Sequence, residues 1–199
     1  MSIVKPIGKH NFLPLFTWAE DWKNNACLNY QYDCMDLYAR GYKKAADTLV
    51  EEVLRTANHQ DILVYPILFL YRHYLELQLK VIIAEGRRLL DDGEGFPTNH
   101  DIASLWSIVK GITRKVWHSP TDPIEFKSVD HIISEYSKID AGSFSFRYPN
   151  NRDGGPTLDG IQHINIRHAA EMISEAATFL DCVSLGLSAY LDYRNDNKD

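Results

Sequence analysis

The 199-residue chain lacks the short motifs that mark common chemistries. It has no glycine-rich phosphate loop, no GxSxG nucleophile turn and no HExxH zinc helix. Cysteine is scarce: Cys27, Cys34 and Cys182 form neither a CxxC pair nor a zinc-like grouping. An odd number of thiols, with no apolar leader in MSIVKPIGKH, predicts a reducing, cytoplasmic setting. Basic charge is in deficit, the net charge being -6. That excludes a general coat of nucleic acid or anionic lipid, both of which need a basic surface, but leaves room for a local basic groove. The apolar run from Ile62 to Tyr71 is too short to span a bilayer and ends at Arg72 and His73, so no membrane association is expected.

The composition, with 45% apolar and 24% charged residues, is that of an ordinary globular chain able to bury one core. The stretch Asp61 to Leu90 organises it. At 100° per residue Arg72, His73, Glu76 and Lys80 fall at about 0°, 100°, 40° and 80°, one charged face on a helix otherwise apolar nearly all round. Such a helix is central, and a charged stripe on it must find partners or water. Pro66 is expected within its first turns, with residues 61–65 only loosely helical.

Other helices flank it. Tyr38, Tyr42, Ala45, Leu49 and Val53 recur at helical spacing between Gln31 and Ala57, and Asp61 can cap the next helix. After the break DDGEGFPTNH, Thr98 or Asn99 can cap a helix with Asp101 in its first turn and Ile102, Leu105, Trp106, Val109, Ile112, Val116 and Trp117 on one face. Asp122 and Pro123 read as the start of a fourth, with Val129, Ile132, Ile133 and Tyr136 inward. A last helix from about Asn165 to Tyr193 is expected to bury Ala169, Ile173, Ala176, Leu180, Val183, Leu187 and Leu191. Between the last two, Phe144, Phe146 and Tyr148 alternate with Ser143, Ser145 and Arg147, which predicts an extended segment. The expected fold is therefore all-α: an antiparallel bundle of about five helices over 31–193, with a short extended segment near 143–149. Residues 1–30 are expected to form an arm packed on the body, with Thr17 and Glu20 capping a short helix that holds Trp18 and Trp22. Residues 194–199 read as a frayed tail.

Three pairs, His73 with Glu76, His131 with Glu135 and His168 with Glu171, have helical metal-ligand spacing. Without further inward glutamates they read as surface or capping pairs, and neither a metal nor a cofactor is expected. The stripe is either a solvent face of i,i+4 ion pairs or the lining of a groove. Arg147, between Phe146 and Tyr148, is either a ligand-binding cation or half of a salt bridge to Glu76 or Asp101.

The run YRHYLELQLKVII, the helix start NHDIASLW and the turn FRYP together resemble the HEPN superfamily of helical bundles, over roughly Asp36 to Leu191. The residues that carry the likeness are His73, Glu76, Leu79 and Lys80, then His100, Asp101 and Ile102, then Arg147, Tyr148, Pro149 and Asn150. Many members of that superfamily are metal-independent ribonucleases that use an arginine followed after four to six residues by a histidine. Here no histidine stands in that window after Arg147, so the resemblance implies the fold and a ligand site more than catalysis. It implies a domain that binds a nucleotide, RNA or a protein partner, in a defence or toxin–antitoxin setting, and that pairs as a homodimer. The alternatives are a diverged ribonuclease with His73 or His100 in the catalytic role beside Arg147, and a structural interaction module. The expected site is one polar groove in which Arg72, His73, Glu76, His100, Asp101, Arg147 and Asn150 meet an anion.

Overall fold

The structure, a computed structural model, describes residues 14–28, 34–118 and 122–197. The chain divides into two compact units, Met1–Asp33 and Cys34–Asp199. In the first, the helix expected from Thr17 does not form. A single 3-10 turn, Trp22–Asn24, follows Asp21, and the Asn25 side chain closes the segment on the backbone of Ala19. One turn is too short to bury an apolar face, and Leu15, Phe16, Trp18, Trp22 and Leu28 are exposed.

The second unit is all-α, with five helices packed against one another and no strand among the described residues: α1 (Met35–Thr56), α2 (Gln60–Leu90), α3 (Ile102–Trp117), α4 (Glu125–Asp140) and α5 (Ile166–Asp196). Residues 31–33 of the expected first helix lie outside the described residues. Two left-handed residues, Ala57 and His59, reverse the chain between α1 and α2, so the pair is an antiparallel hairpin. α2 is central, packing on α1, α3 and α5, while α5 also meets α4 and α1. Its all-round apolar surface demands this: Ile67, Leu68, Tyr71, Leu75, Leu79, Ile82 and Ile83 are all buried. Gly86 sets its distance from α3, since a Cβ there would meet Ile112 Cγ2 at 2.3 Å.

Several ends differ from expectation. α2 begins at Gln60 with Pro66 in its second turn, so residues 61–65 are fully helical. Asp61 does not cap it; His59 precedes it in a left-handed conformation and gives no side-chain cap. Asp101, not Thr98 or Asn99, caps α3, accepting from Ala103 N at 3.0 Å. Asp122 does not cap α4 because Arg114 holds it in a two-pronged ion pair at 2.7 Å. The tail expected from Arg194 is helical to Asp196, since the Arg194 guanidinium binds the carbonyls of Arg88 and Leu89 at the end of α2. α5 is long and apolar enough to cross a membrane by length and composition alone, and a third of its most apolar window is buried in the bundle.

The extended segment near 143–149 is instead a turn. Arg147 N and Tyr148 N both bond to Phe144 O, at 3.0 and 3.2 Å. Its cause is the side chain of Asp140, whose Oδ1 accepts from Phe144 N and from Ser145 N and so wraps the chain around the end of α4. Ser143 takes up the reversal at φ 58°. Alternating aromatic residues gave the period of a strand, and local side-chain hydrogen bonding overrode it. Asn150 and Pro156 form one isolated bridge beyond the turn.

Candidate ligand site

The charged stripe of α2 is closed. Arg72 and Glu76 are 0% and 1% exposed, so neither lines a groove. Arg72 donates from Nη1 to Glu76 Oε2 at 2.8 Å, from Nη2 to His100 O at 2.6 Å and from Nε to Asp140 O at 3.2 Å. One guanidinium thus ties α2 to the residue preceding the cap of α3 and to the end of α4, whose unpaired carbonyls favour a cation. Glu76 Oε1 accepts from Lys80 Nζ at 2.9 Å and lies 2.7 Å from His100 Nδ1. Burial pushes the Glu76 carboxyl up, but hydrogen bonds from Lys80, His100 and Arg72 outweigh it and hold the group down at about 2. Two buried cations and the carboxylates of Glu76 and Asp140 balance. This is a brace between three helices, with its charges spent on each other.

His73 leaves the stripe. Its ring packs edge-on to Tyr42 at 4.3 Å and parallel to Phe69 at 5.9 Å. Burial pushes its imidazole below the usual range, so it is neutral near pH 7. His100 is bound at one ring nitrogen and 67% exposed elsewhere. A carboxylate only accepts, so Nδ1 carries the hydrogen and Nε2 of the neutral ring is left as an acceptor. Asp101 is used as the α3 cap, and Asn150 donates to Gly154 O at 2.9 Å inside its own loop.

Arg147 stands apart from the brace. It forms no ion pair with Glu76 or Asp101 and none with any carboxylate among the described residues. Its Nε donates to Ser143 O at 2.5 Å, and its guanidinium lies 5.6 Å from the Phe69 ring centre and 5.7 Å from that of Tyr148. Phe144 supports Tyr148 at 4.6 Å. The cation is therefore held by aromatic faces and a carbonyl, without an acid to neutralise it. Beside it opens a cavity of about 540 Å3 lined by Tyr65, Arg147, Tyr148, Pro149, Thr157 and Ile161 among others. Thr157 pins the far wall, its hydroxyl donating to Tyr148 O at 2.7 Å.

No family model, curated protein or solved structure matches the chain. The site is accordingly read from its own geometry. The structure brings together Arg72, Glu76, His100 and Lys80, and separately Arg147 with Phe69, whose other neighbour is His73. It does not merge the two into one groove. Among the described residues no three His, Cys, Asp or Glu side chains are grouped closely enough to hold a metal. Sequence reasoning missed Tyr65, Phe69 and Thr157 as site residues, since apolar or small residues on a core helix and in a loop carry no signal of their own. It also missed Asp140, which a carboxylate just before Ala141–Gly142 could have suggested as a turn former.

Proposed function

We propose that this chain is a non-catalytic helical domain of HEPN type that binds a nucleotide, free or within a single strand of RNA, in the cavity beside Arg147. The observation that carries the reading is an exposed arginine with fixed orientation and no acid partner among the described residues, flanked by Tyr148 and Tyr65 at one cavity. A cation for phosphate next to aromatic faces for a base is the chemistry that single-stranded nucleotides need. One such site is compatible with a net charge of -6, which disfavours long polyanions. The test is calorimetric titration with AMP and with a short oligoribonucleotide. Wild type is expected to bind, and Arg147→Ala and Tyr148→Ala each to weaken binding about tenfold or more. Equal, negligible binding by all three proteins would sink the proposal.

A specific observation favours a second reading, a diverged metal-independent ribonuclease. His100 is oriented by a buried carboxylate and presents its other nitrogen to solvent, which is how a general base is held. RNA incubated in EDTA decides: cleavage that disappears in His100→Ala would replace binding by catalysis. The cytoplasmic, homodimeric and defence-related setting belongs to the same proposal. Light scattering should give about twice 22.9 kDa at micromolar concentration, and a monomer mass would remove the pairing from it.

A further inference from the structure

Three members of the two histidine pairs that found no role in the brace, His131 and Glu135 on α4 and His168 on α5, border one cavity elsewhere, of about 380 Å3. Its volume is at the lower end of the range for small-ligand sites, roughly 300–1,000 Å3. Inside, the walls are apolar: Leu68, Ile132, Ile139, Phe146, Met172 and Ile173. The one hydroxyl there, that of Tyr136, spends its hydrogen on Leu68 O at 3.2 Å and leaves only an acceptor, fewer polar partners than an ordered water needs.

The mouth has the opposite character. His131 and His168 are exposed there, as is Glu135, which pairs at the surface with Lys138 at 2.8 Å. The first turn of α5, which supplies His168 and Ala169, contains no acidic residue, and Glu171 one turn on does not line the cavity. The positive end of a 31-residue helix therefore lies at the opening, capped by Asn165, whose Oδ1 accepts from His168 N at 3.0 Å. An apolar interior beneath a mouth of imidazoles and a helix start is complementary to an amphiphile with a small anionic head.

We propose that this cavity between α4 and α5 is a second binding site, and that it takes a free medium-chain carboxylate, the chain inside and the carboxylate beside His131 and His168. The site shares only Phe146 and Ile161 with the cavity at Arg147 and does not rest on the nucleotide reading.

Methionine makes the test direct. The chain has three, Met1, Met35 and Met172, and of the two among the described residues Met172 lines the cavity and Met35 does not. The full-length protein is labelled at the methionine methyl carbons, the Met172 signal is assigned with Met172→Leu, and decanoate is titrated. The expected result is a saturable shift of the Met172 signal with Met35 unmoved. Ala169→Phe, which fills the cavity, should abolish it while the helical circular dichroism stays that of wild type. His131→Ala combined with His168→Ala should weaken decanoate about tenfold and leave decanol unchanged. No Met172 shift with millimolar decanoate would overturn the site. Equal affinity for decanol and decanoate, unaffected by the histidine substitutions, would overturn the carboxylate assignment. Phosphatidylglycerol vesicles examine the other source of an acyl chain: co-sedimentation with them would overturn the assignment to a free amphiphile.

Discussion

Replacing Glu76 by glutamine removes the anion that Arg72 and Lys80 share. Both cations are buried, at 0% and 5% exposure, and an amide in its place offers one acceptor and turns a donor toward the other cation. Breaking a buried pair from one side costs about 3–5 kcal/mol, mostly the cost of the charge left behind. The titration of Glu76 gives an independent figure. Its carboxyl falls from 4.5 to about 2, and at about 1.4 kcal/mol per tenfold this is about 3 kcal/mol. The sign follows from the direction: a carboxyl lowered by folding contributes fully above 4.5, and the contribution is lost as the pH falls toward 2. Urea unfolding followed by helical circular dichroism, on wild type and Glu76→Gln, measures both. The difference should be about 3 kcal/mol at pH 7, or roughly 6–12 °C in Tm for a chain of this size. By pH 3 it should shrink by at least half. Asp122, Asp130 and Glu135, also lowered, are present in both proteins and cancel. A difference below about 1 kcal/mol at pH 7, or one that does not change with pH, would refute the view that this carboxylate neutralises the brace.

Gly86→Ala should destabilise by about 1–3 kcal/mol in the same assay, because the close approach to Ile112 outweighs the roughly 1 kcal/mol gained from helix propensity. Pro66→Ala should stabilise by about 1–2 kcal/mol, since it restores the donor that the carbonyl of Ile62 lacks inside α2; an unchanged midpoint would show that the helix has already adapted. Asp140→Ala should cost about 1–3 kcal/mol by freeing Phe144 N and Ser145 N, and should also weaken the nucleotide binding expected at Arg147, whose carbonyl anchor, Ser143, sits in the same turn. Unaltered AMP affinity in that variant would separate the turn from the site.

The helices were legible because each carries its period locally. The stripe Ile102, Leu105, Trp106, Val109 and Ile112 is buried, while Val116 and Trp117 at its far end are half-buried, and the apolar circumference of α2 placed that helix at the centre. The ends were less legible. Whether Asp122 caps a helix or pairs with Arg114 depends on a partner eight residues away, and both uses suit an aspartate. The turn at 144–148 was misread for a related reason: the side chain of Asp140 supplies the hydrogen bonds, and alternation of aromatic residues does not record that.

Sequence alone determined that a charged stripe lies on a central helix and that its members must be paired or wet, because that follows from helical geometry and the cost of burying charge. Only the tertiary structure decided which. The ends of α3 and α4 bring backbone carbonyls and His100 onto Arg72 and Glu76 and close the stripe into a brace, while Arg147, held by Phe69 and Ser143, is left facing a cavity. Arg72 and Arg147 are the same residue type, one bonded to Glu76 and to backbone carbonyls, the other held over the rings of Phe69 and Tyr148. What distinguishes a structural arginine from a candidate ligand-binding one is the acceptors that distant segments deliver to it, which no local pattern encodes.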